Sequence, residues 1–418
     1  MDREDGMRTT EEYSAFARKA MEVLGIKPKM QKLLTTPKRE VCVELPVERD
    51  NGDLEIFMGW RVQHNNARGP MKGGLRYHPL VDSKLIHHLA SLMTWSTALA
   101  DVPLGGSMGG IACDPKAMSD RELERVTRAY VSRVHELIGP IKDITAPDVN
   151  TSPKVMAWML DEYTKFEGFK TAVVTGKPLA LQGSRGRAEA GGFGLATIVK
   201  EAMRDGPVPL VEASFAFQGF GNVGYHSARF LQEAGGRVLA VTDSGGGVYS
   251  GRGLDVEKLR KHSLKKGTVA GFPGGDPVSN DELFGLKCDV LVAAALGEVF
   301  RPERVVDLKA SMVVEAAPGA STPEGDEALV RRGIRVIPDL VASAGSVVAD
   351  YHEWVQNLQQ ITWTKEKVYG RLEEKMKSVW AEVRAFAEER KVTLRMASYM
   401  FAVGRVLEAM ELRGGFTA

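Results

Sequence analysis

The chain has 418 residues, which at roughly 100–200 residues per domain corresponds to two or three domains. Hydrophobic residues make up 44% of it and charged residues 26%, close to the averages of globular proteins, so a disordered chain and a coiled-coil rod are both excluded. Lysine and arginine total 55 against 54 acids, a formal net charge of +1. This balance offers no electrostatic support for a nucleic acid or an anionic membrane as partner.

The sequence also indicates a compartment and excludes a metal centre. No apolar run approaches the ~18 residues of a membrane span, and residues 1–5 carry acids where a signal peptide needs basic and then apolar residues. The three cysteines, Cys42, Cys113 and Cys288, lie far apart and are expected to be buried thiols. We therefore expect a cytoplasmic protein without a bound metal.

In the N-terminal half, hydrophobic periodicity predicts helices and one β-hairpin. Val41 to Val47 alternates apolar and polar residues, Asn51-Gly52 supplies turn chemistry, and Leu54 to Val62 continues as a second strand. Helices are predicted at Thr10–Gly25, at Ser83–Leu99 with Ser83 as its cap, and at Ser119–Leu137.

From Ala213 onward, short apolar strands alternate with helices, a pattern typical of a parallel sheet flanked by helices. The predicted strands are Ser214–Phe217, Arg237–Val241, Asp289–Ala293, Ser311–Glu315 and Arg335–Ile337. Two long helices, Thr364–Glu389 and Thr393–Leu412, are predicted to end the chain.

A dinucleotide-binding motif follows the first of these strands. Gly219, Gly221 and Gly224 form G-x-G-x-x-G, Asn222 and Val223 open the next helix, and Asp243 ends the second strand. The glycines permit a tight turn, approach of a pyrophosphate and close helix packing, while the helix N-terminus attracts phosphate. An acid at 243 favours NAD over NADP, although the following Ser244-Gly245-Gly246 also suits a simple Asx turn.

Two long motifs, Gly69–Pro79 and Asp143–Val149, together with a glycine-rich loop near Gly183 and the segment Tyr351–Asn357, resemble the glutamate dehydrogenases of the Glu/Leu/Phe/Val dehydrogenase superfamily. The resemblance implies an α/β chain of two domains that forms a hexamer and oxidises glutamate to 2-oxoglutarate and ammonia with NAD. We expect an N-terminal substrate and oligomerisation domain (1–180), a Rossmann-like NAD domain (181–360), and C-terminal helices (361–418) that return to the first domain.

Two family site residues are retained. By resemblance, Lys72 binds the distal carboxylate of the substrate and Asp148 transfers protons to the amine. From the residues alone, Lys72 could instead bridge a surface acid and Asp148 could cap the helix that follows Asn150.

Three substrate positions depart from the family pattern. Met108 stands where the catalytic lysine is expected, Ser96 where a lysine holds the α-carboxylate, and Asp350 where a serine helps to hold the distal carboxylate. Methionine carries no charge and donates no hydrogen bond, so it cannot stabilise charge developing on the reacting carbon. It could simply pack against its neighbours.

The expected cofactor contacts are also altered. Gly191 replaces a threonine near the nicotinamide, and Pro318 replaces an asparagine that faces the cofactor. Proline has neither the side-chain amide nor a backbone N–H. NAD binding is therefore expected to be weakened.

These departures predict a regulatory subunit with little turnover of its own, assembled with a catalytic paralogue in a mixed hexamer. The missing cations favour a hydrophobic amino acid over a dicarboxylate as a small-molecule effector, with Lys72 either binding its carboxylate or pairing with Asp350. Two alternatives are an active glutamate or related amino-acid dehydrogenase that uses Asp148 and Lys72, and a non-enzymatic scaffold.

Overall fold

The computed structural model of the protein describes residues 10–204, 206–295 and 297–414. It contains two compact units, named here by their β-sheets. The five-stranded unit comprises the described parts of residues 17–187, 347–370 and 400–418, and the seven-stranded unit comprises those of 1–16, 188–346 and 371–399. The expected α/β architecture of two domains is thereby confirmed.

The five-stranded unit is built on a mixed sheet in the order β1-β2-β4-β3-β5, in which β3 runs parallel to both of its neighbours. Its strands are β1 (Arg39–Glu48), β2 (Leu54–Asn65), β3 (Met71–Tyr77), β4 (Gly106–Ile111) and β5 (Asp143–Pro147). Its helices are α2 (Pro28–Thr35), α3 (Ser83–Leu99), α4 (Asp120–Val134) and α5 (Pro153–Glu167), and α1 (Thr10–Val23) leads into it from the other unit.

The predicted hairpin is confirmed as β1 and β2, which pair antiparallel from Arg39↔Gln63 to Glu48↔Leu54. Gly52 has a φ of +87° in the turn, a conformation that glycine adopts without steric cost. The helix predicted from Ser83 is confirmed as α3, but its cap is Asp82, whose side chain accepts a hydrogen bond from the Leu85 backbone N–H at 2.8 Å.

The glycine-rich motifs form strands β3 and β4, which the sequence analysis did not predict. Glycine is depleted in strands in general, but here the backbones approach too closely for a side chain. A β-carbon at Gly73 would lie 1.6 Å from the Ser107 carbonyl oxygen, and one at Gly106 would lie 2.2 Å from the Thr94 backbone nitrogen. Close packing therefore selects glycine in both strands.

The seven-stranded unit has the sheet order β12-β11-β10-β6-β7-β8-β9. The five predicted strands are confirmed as its parallel part: β6 (Ser214–Gln218), β7 (Arg237–Asp243), β10 (Val290–Ala293), β11 (Met312–Glu315) and β12 (Arg335–Ile337). Two short antiparallel strands, β8 (Gly246–Tyr249) and β9 (Asp276–Val278), extend one edge and were not predicted. The helices are α6 (Ala190–Arg204), α7 (Asn222–Glu233), α8 (Val256–Lys266), α9 (Asn280–Phe284), α10 (Pro302–Val305) and α11 (Pro323–Arg331).

Three long helices, α12 (Asp339–Gln359), α13 (Lys365–Arg390) and α14 (Leu394–Leu412), end the described chain. The domain boundaries expected at residues 180 and 360 remain a prediction. The chain passes from one compact unit to the other after Phe16, Arg187, Ser346, Gly370 and Tyr399. Most of α13 thus belongs to the seven-stranded unit, because the Met376 methyl group packs against Gly194 of α6. The described part of the segment from Met400 belongs to the five-stranded unit.

Two further observations concern sequence expectations. Cys113 and Cys288 are buried as expected, but Cys42 is exposed, so the prediction of a buried thiol was wrong there. No helix within the described ranges is long and apolar enough to cross a membrane.

Two buried imidazoles make the five-stranded unit sensitive to acid. Burial lowers the pKa of His64 and of His88 to about 3, from an ordinary value near 6.5. His64 is 1% exposed, and its Nδ1 lies 2.8 Å from Thr94 Oγ1. The unfolded chain takes up these protons below pH 6.5 and the folded chain does not, so stability is full above pH 6.5 and declines toward pH 3.

We therefore expect His64→Phe to flatten this decline. One proton corresponds to about 1.4 kcal/mol per pH unit, so the slope of unfolding free energy between about pH 6 and pH 4 should fall by about that amount. Urea unfolding followed by tryptophan fluorescence measures it, with Trp95 6.0 Å from the His64 ring as a local reporter. Thr94→Val is the control, since it removes the hydrogen bond and leaves the imidazole; an unchanged slope in His64→Phe would contradict the prediction.

Candidate functional site

One face of strand β3 carries Lys72, which the resemblance predicts to bind the substrate. Because side chains alternate along a strand, Lys72, Gly74 and Arg76 share this face, while Leu75 and Tyr77 point into the core. Strand β4 runs alongside, with Leu75 opposite Gly109.

Lys72 forms an ion pair with the residue expected to oppose the substrate. Its Nζ lies 3.0 Å from Asp350 Oδ2 on α12, and Asp350 Oδ1 accepts a hydrogen bond from Arg187 Nε at 2.8 Å. Burial raises the pKa of Asp350, but Arg187 and Lys72 outweigh burial and lower it to about 2. Asp350 is therefore ionised at neutral pH and bridges two cations.

The two cations that contact Asp350, Lys72 and Arg187, are buried to different degrees. Lys72 is 1% exposed, and burial lowers the pKa of its ammonium against the opposing attraction of Asp350. The Arg187 side chain keeps 21% of its surface exposed. Sequence reasoning missed Arg187, and its position in the glycine-rich stretch after Gly183 was the available signal.

Met108, at the expected catalytic-lysine position, lies on β4 and is 2% exposed. Its side chain packs with Val62, Ile86 and Leu89 in a cluster between the sheet and α3. Its Cε lies 3.4 Å from the point where a β-carbon on Gly74 would stand, and Asp148 Cβ lies 2.7 Å from that same point. The position beside Asp148 is thus filled by a methyl group without charge.

Asp148 follows the end of β5, and its carboxylate accepts a hydrogen bond from Arg76 Nε in an ion pair. Its backbone N–H donates to Thr151 Oγ1 at 2.8 Å. The cap position of α5 is taken by Ser152, so the alternative of Asp148 as that cap is wrong. Arg76 is the cation of this pair, and a guanidinium stays protonated at every physiological pH, so it cannot exchange protons.

Ser96, at the expected α-carboxylate position, is 4% exposed on α3. Its Oγ donates a hydrogen bond to the Leu92 carbonyl at 2.9 Å. The hydroxyl proton is therefore used within the helix, and Ser96 supplies no positive charge for a carboxylate.

The seven-stranded unit has a depression at the carboxyl ends of β6, β7 and β10, where doubly wound folds bind their ligands. Its volume is about 340 Å³. The residues that line it are Gln218, Gly219, Gly221, Asp243, Ser244, Asn280, Ala294 and Ala295.

The motif glycines have the geometry that a dinucleotide cradle requires. Gly219 has a φ of +94°, and a β-carbon at Gly224 would lie 2.2 Å from the Gly219 carbonyl oxygen. Within the described parts of the chain, no residue beyond its immediate neighbours comes within 4 Å of the β-carbon position of Gly221, which leaves open space for a pyrophosphate. Helix α7 begins at Asn222, whose side-chain amide donates to the Ala188 carbonyl at 2.7 Å, and Val223 follows in its first turn.

Asp243 binds its own loop with both carboxylate oxygens. Oδ1 accepts hydrogen bonds from the Gly245 N–H at 2.8 Å and from Thr268 Oγ1 at 2.7 Å, and Oδ2 accepts one from the Val269 N–H at 2.6 Å. This geometry is the Asx turn that the sequence allowed as an alternative. A role in binding ribose stays a prediction.

Two cofactor positions expected by resemblance are small or lack a donor. A β-carbon at Gly191 would lie 2.7 Å from Ser346 Oγ, so the space of the expected threonine is partly filled by Ser346. Pro318 precedes Gly319, whose N–H donates to Asp339 Oδ2 at 3.2 Å. The described part of the chain contains no group of three or more histidine, cysteine or acidic residues that could hold a metal.

Comparisons with known proteins identify the family of both halves of the chain. Residues 37–165 match the Glu/Leu/Phe/Val dehydrogenase dimerisation domain, and residues 183–414 match glutamate/leucine/phenylalanine/valine dehydrogenase. The glutamate dehydrogenase of Thermotoga maritima is 44% identical over 398 residues, which is 95% of this chain and 96% of that protein.

Two solved structures extend the similarity to the whole fold. A hetero-hexameric glutamate dehydrogenase from Thermus thermophilus, in its Leu-bound form, has a TM-score of 0.92 at 39% identity over 96% of both chains. The enzyme from Peptoniphilus asaccharolyticus has a TM-score of 0.85 at 37% identity, covering 98% of this chain and 100% of that one. The chain therefore belongs to the glutamate/leucine/phenylalanine/valine dehydrogenase family, whose members are oxidoreductases that use NAD(P).

Proposed function

We propose that this chain is a regulatory subunit of an NAD-dependent glutamate dehydrogenase, with little turnover of its own. The assembled enzyme converts L-glutamate, NAD⁺ and water into 2-oxoglutarate, ammonium, NADH and a proton. The observation that carries the proposal is Met108, an uncharged side chain packed into an apolar cluster at the catalytic-lysine position.

The reaction needs positive charge beside the reacting carbon and an acid that exchanges protons with the amine. Met108 supplies no charge, and Asp148 is held in an ion pair with Arg76. Removal of one electrostatic group of this kind typically costs about 3–4 kcal/mol in the transition state, a factor of about 10²–10³ in rate. Ser96 adds a penalty for the unpaired α-carboxylate.

A subunit without catalytic activity can still regulate a catalytic neighbour. A ligand that binds two conformations of the assembly unequally shifts the equilibrium between them. The Thermus thermophilus relative is a hetero-hexamer with Leu bound. This supports a mixed hexamer with a catalytic paralogue and an amino-acid ligand for this chain.

The proposal retains NAD at the cradle formed by Gly219, Gly221, Gly224 and the start of α7, since the open space at Gly221 suits a pyrophosphate. When bound there, NAD would accept the hydride of the reaction. Gly191 and Pro318 lack the side chains that are expected to contact the nicotinamide end of NAD. We therefore expect NAD to bind more weakly here than in a catalytic subunit.

The purified homomer should turn over glutamate slowly. Since enzymes typically reach about 10 s⁻¹, loss of the lysine alone predicts a turnover below about 0.1 s⁻¹ in steady-state NAD reduction. Asp148→Asn is the control, because a genuine residual rate should vanish in it and a contaminating activity should persist. A homomer turnover of about 10 s⁻¹ would refute the proposal in favour of an active dehydrogenase.

Returning the missing charges should restore activity. We expect Met108→Lys combined with Ser96→Lys and Asp350→Ser to raise glutamate oxidation at least about 10²-fold, because a lysine at 108 returns positive charge to the position beside Asp148. Met108→Leu in the same background keeps the volume without the charge and serves as the matched control. A folded triple variant no faster than that control would show that further machinery is lost.

Co-expression with a catalytic paralogue from the same organism should yield a particle that contains both chains. Its glutamate oxidation should respond to leucine differently from the paralogue alone, by a factor within the 5–150-fold range of typical couplings. Size-exclusion chromatography with mass analysis, followed by assay, measures both properties. Separate homomers that never mix would instead favour a scaffold role.

A further inference from the structure

We infer that Asp350 is a built-in substitute for the distal carboxylate of a ligand, so that this site accepts amino acids with uncharged side chains and rejects dicarboxylates. The inference deepens the proposed function and rests on it in taking the Lys72 face as a ligand site.

The first observation is how Asp350 is bound. Its two oxygens contact different cations, Oδ2 with Lys72 Nζ at 3.0 Å and Oδ1 with Arg187 Nε at 2.8 Å. A ligand carboxylate clamped between a lysine and an arginine would present its oxygens in the same way. Among the described residues, Asp350 is the one carboxylate within ion-pair distance of either cation.

The second observation is that the helix carrying Asp350 is anchored on its next two turns. Glu353 accepts hydrogen bonds from Lys177 Nζ at 2.7 Å and from the Gly176 N–H at 3.0 Å, and both charged side chains are fully buried. One turn further, Asn357 Oδ1 accepts from the same ammonium at 2.8 Å. Residues three, four and seven apart lie on one helix face, so these contacts hold Asp350 toward Lys72.

Trp354, which lies between Glu353 and Asn357 on α12, makes a further hydrogen bond to the rest of the unit. Its Nε1 donates to the Pro140 carbonyl at 2.8 Å. Any movement of the α12 backbone that carried Asp350 away from the two cations would break these contacts. The backbone that presents the internal carboxylate is therefore held in place.

The charges decide the class of ligand. Lys72 and Arg187 contribute two positive charges and Asp350 one negative charge, so a side-chain carboxylate would enter a cluster that holds a buried anion and only one unbalanced cation. Its desolvation would be poorly repaid and it would repel Asp350 at close range. An apolar side chain has no charge to desolvate and is not repelled by Asp350, and it would lie beside Met108 and Gly74.

The decisive measurement compares isosteric ligands by calorimetry on the full chain. We expect the unmodified protein to bind L-glutamine and L-leucine at least tenfold more tightly than L-glutamate. In Asp350→Ser the two cations lose their partner, so the preference should reverse to at least tenfold in favour of L-glutamate. Glutamate binding most tightly to the unmodified protein, or an unchanged ratio in Asp350→Ser, would overturn the inference.

A thermal-unfolding measurement tests the same point without any amino-acid binding. Asp350→Ser should unfold at a lower temperature, and glutarate should recover part of this loss while leaving the unmodified protein unchanged. Asp350→Asn, of the same shape, should show the same recovery if the serine variant folds poorly. Asp326→Ser removes a partner of Arg395 in the other unit and should show no recovery; equal recovery there, or none at Asp350, would also overturn the inference.

This experiment separates the inference from the proposed function. Rapid glutamate oxidation by the homomer would refute the regulatory role, whereas the ligand ratio and the glutarate recovery report only on Asp350.

Discussion

The ion bridge Lys72–Asp350–Arg187 is the interaction on which the character of the site depends. A buried ammonium without a partner is costly, so Lys72 can remain in the interior only with an anion beside it. In a protein built to bind a dicarboxylate, the substrate can supply that anion. Here the chain supplies it, and the ammonium has an ion-pair partner in the absence of any ligand. The bridge thus contributes to the stability of the five-stranded unit and also sets the charge at the candidate site.

Other side chains of the candidate site also have their partners within the protein. Asp148 is paired with Arg76, the Ser96 hydroxyl donates within its own helix, and Met108 completes an apolar cluster. Each of these three side chains therefore contacts a neighbour within the five-stranded unit and is not left open to a substrate. The cofactor cradle differs, because Gly221 still faces open space. The two candidate sites of the chain therefore differ in how far their polar groups are already bonded within the protein.

Much of the fold was predictable from the sequence, because alternation in β1 and β2 and the apolar strands of the seven-stranded unit are local signals. Strands β3 and β4 were missed, since their glycines are chosen by the approach of neighbouring backbones and not by strand propensity. The departures at 96, 108 and 350 were visible by resemblance. The pairing of Asp350 with Lys72 was one of the two alternatives that the sequence left open. The second partner, Arg187, was not predicted, because it lies 163 residues away and no local pattern connects the two side chains.

The geometry around Gly191 limits which side chains this position can hold. A β-carbon at 191 would lie 2.7 Å from the Ser346 oxygen, so any larger residue there requires the serine side chain to rotate or to be replaced by a smaller one. Neighbouring residues of this kind do not contribute independently to stability. The side chain that position 191 tolerates is therefore conditional on the residue at 346.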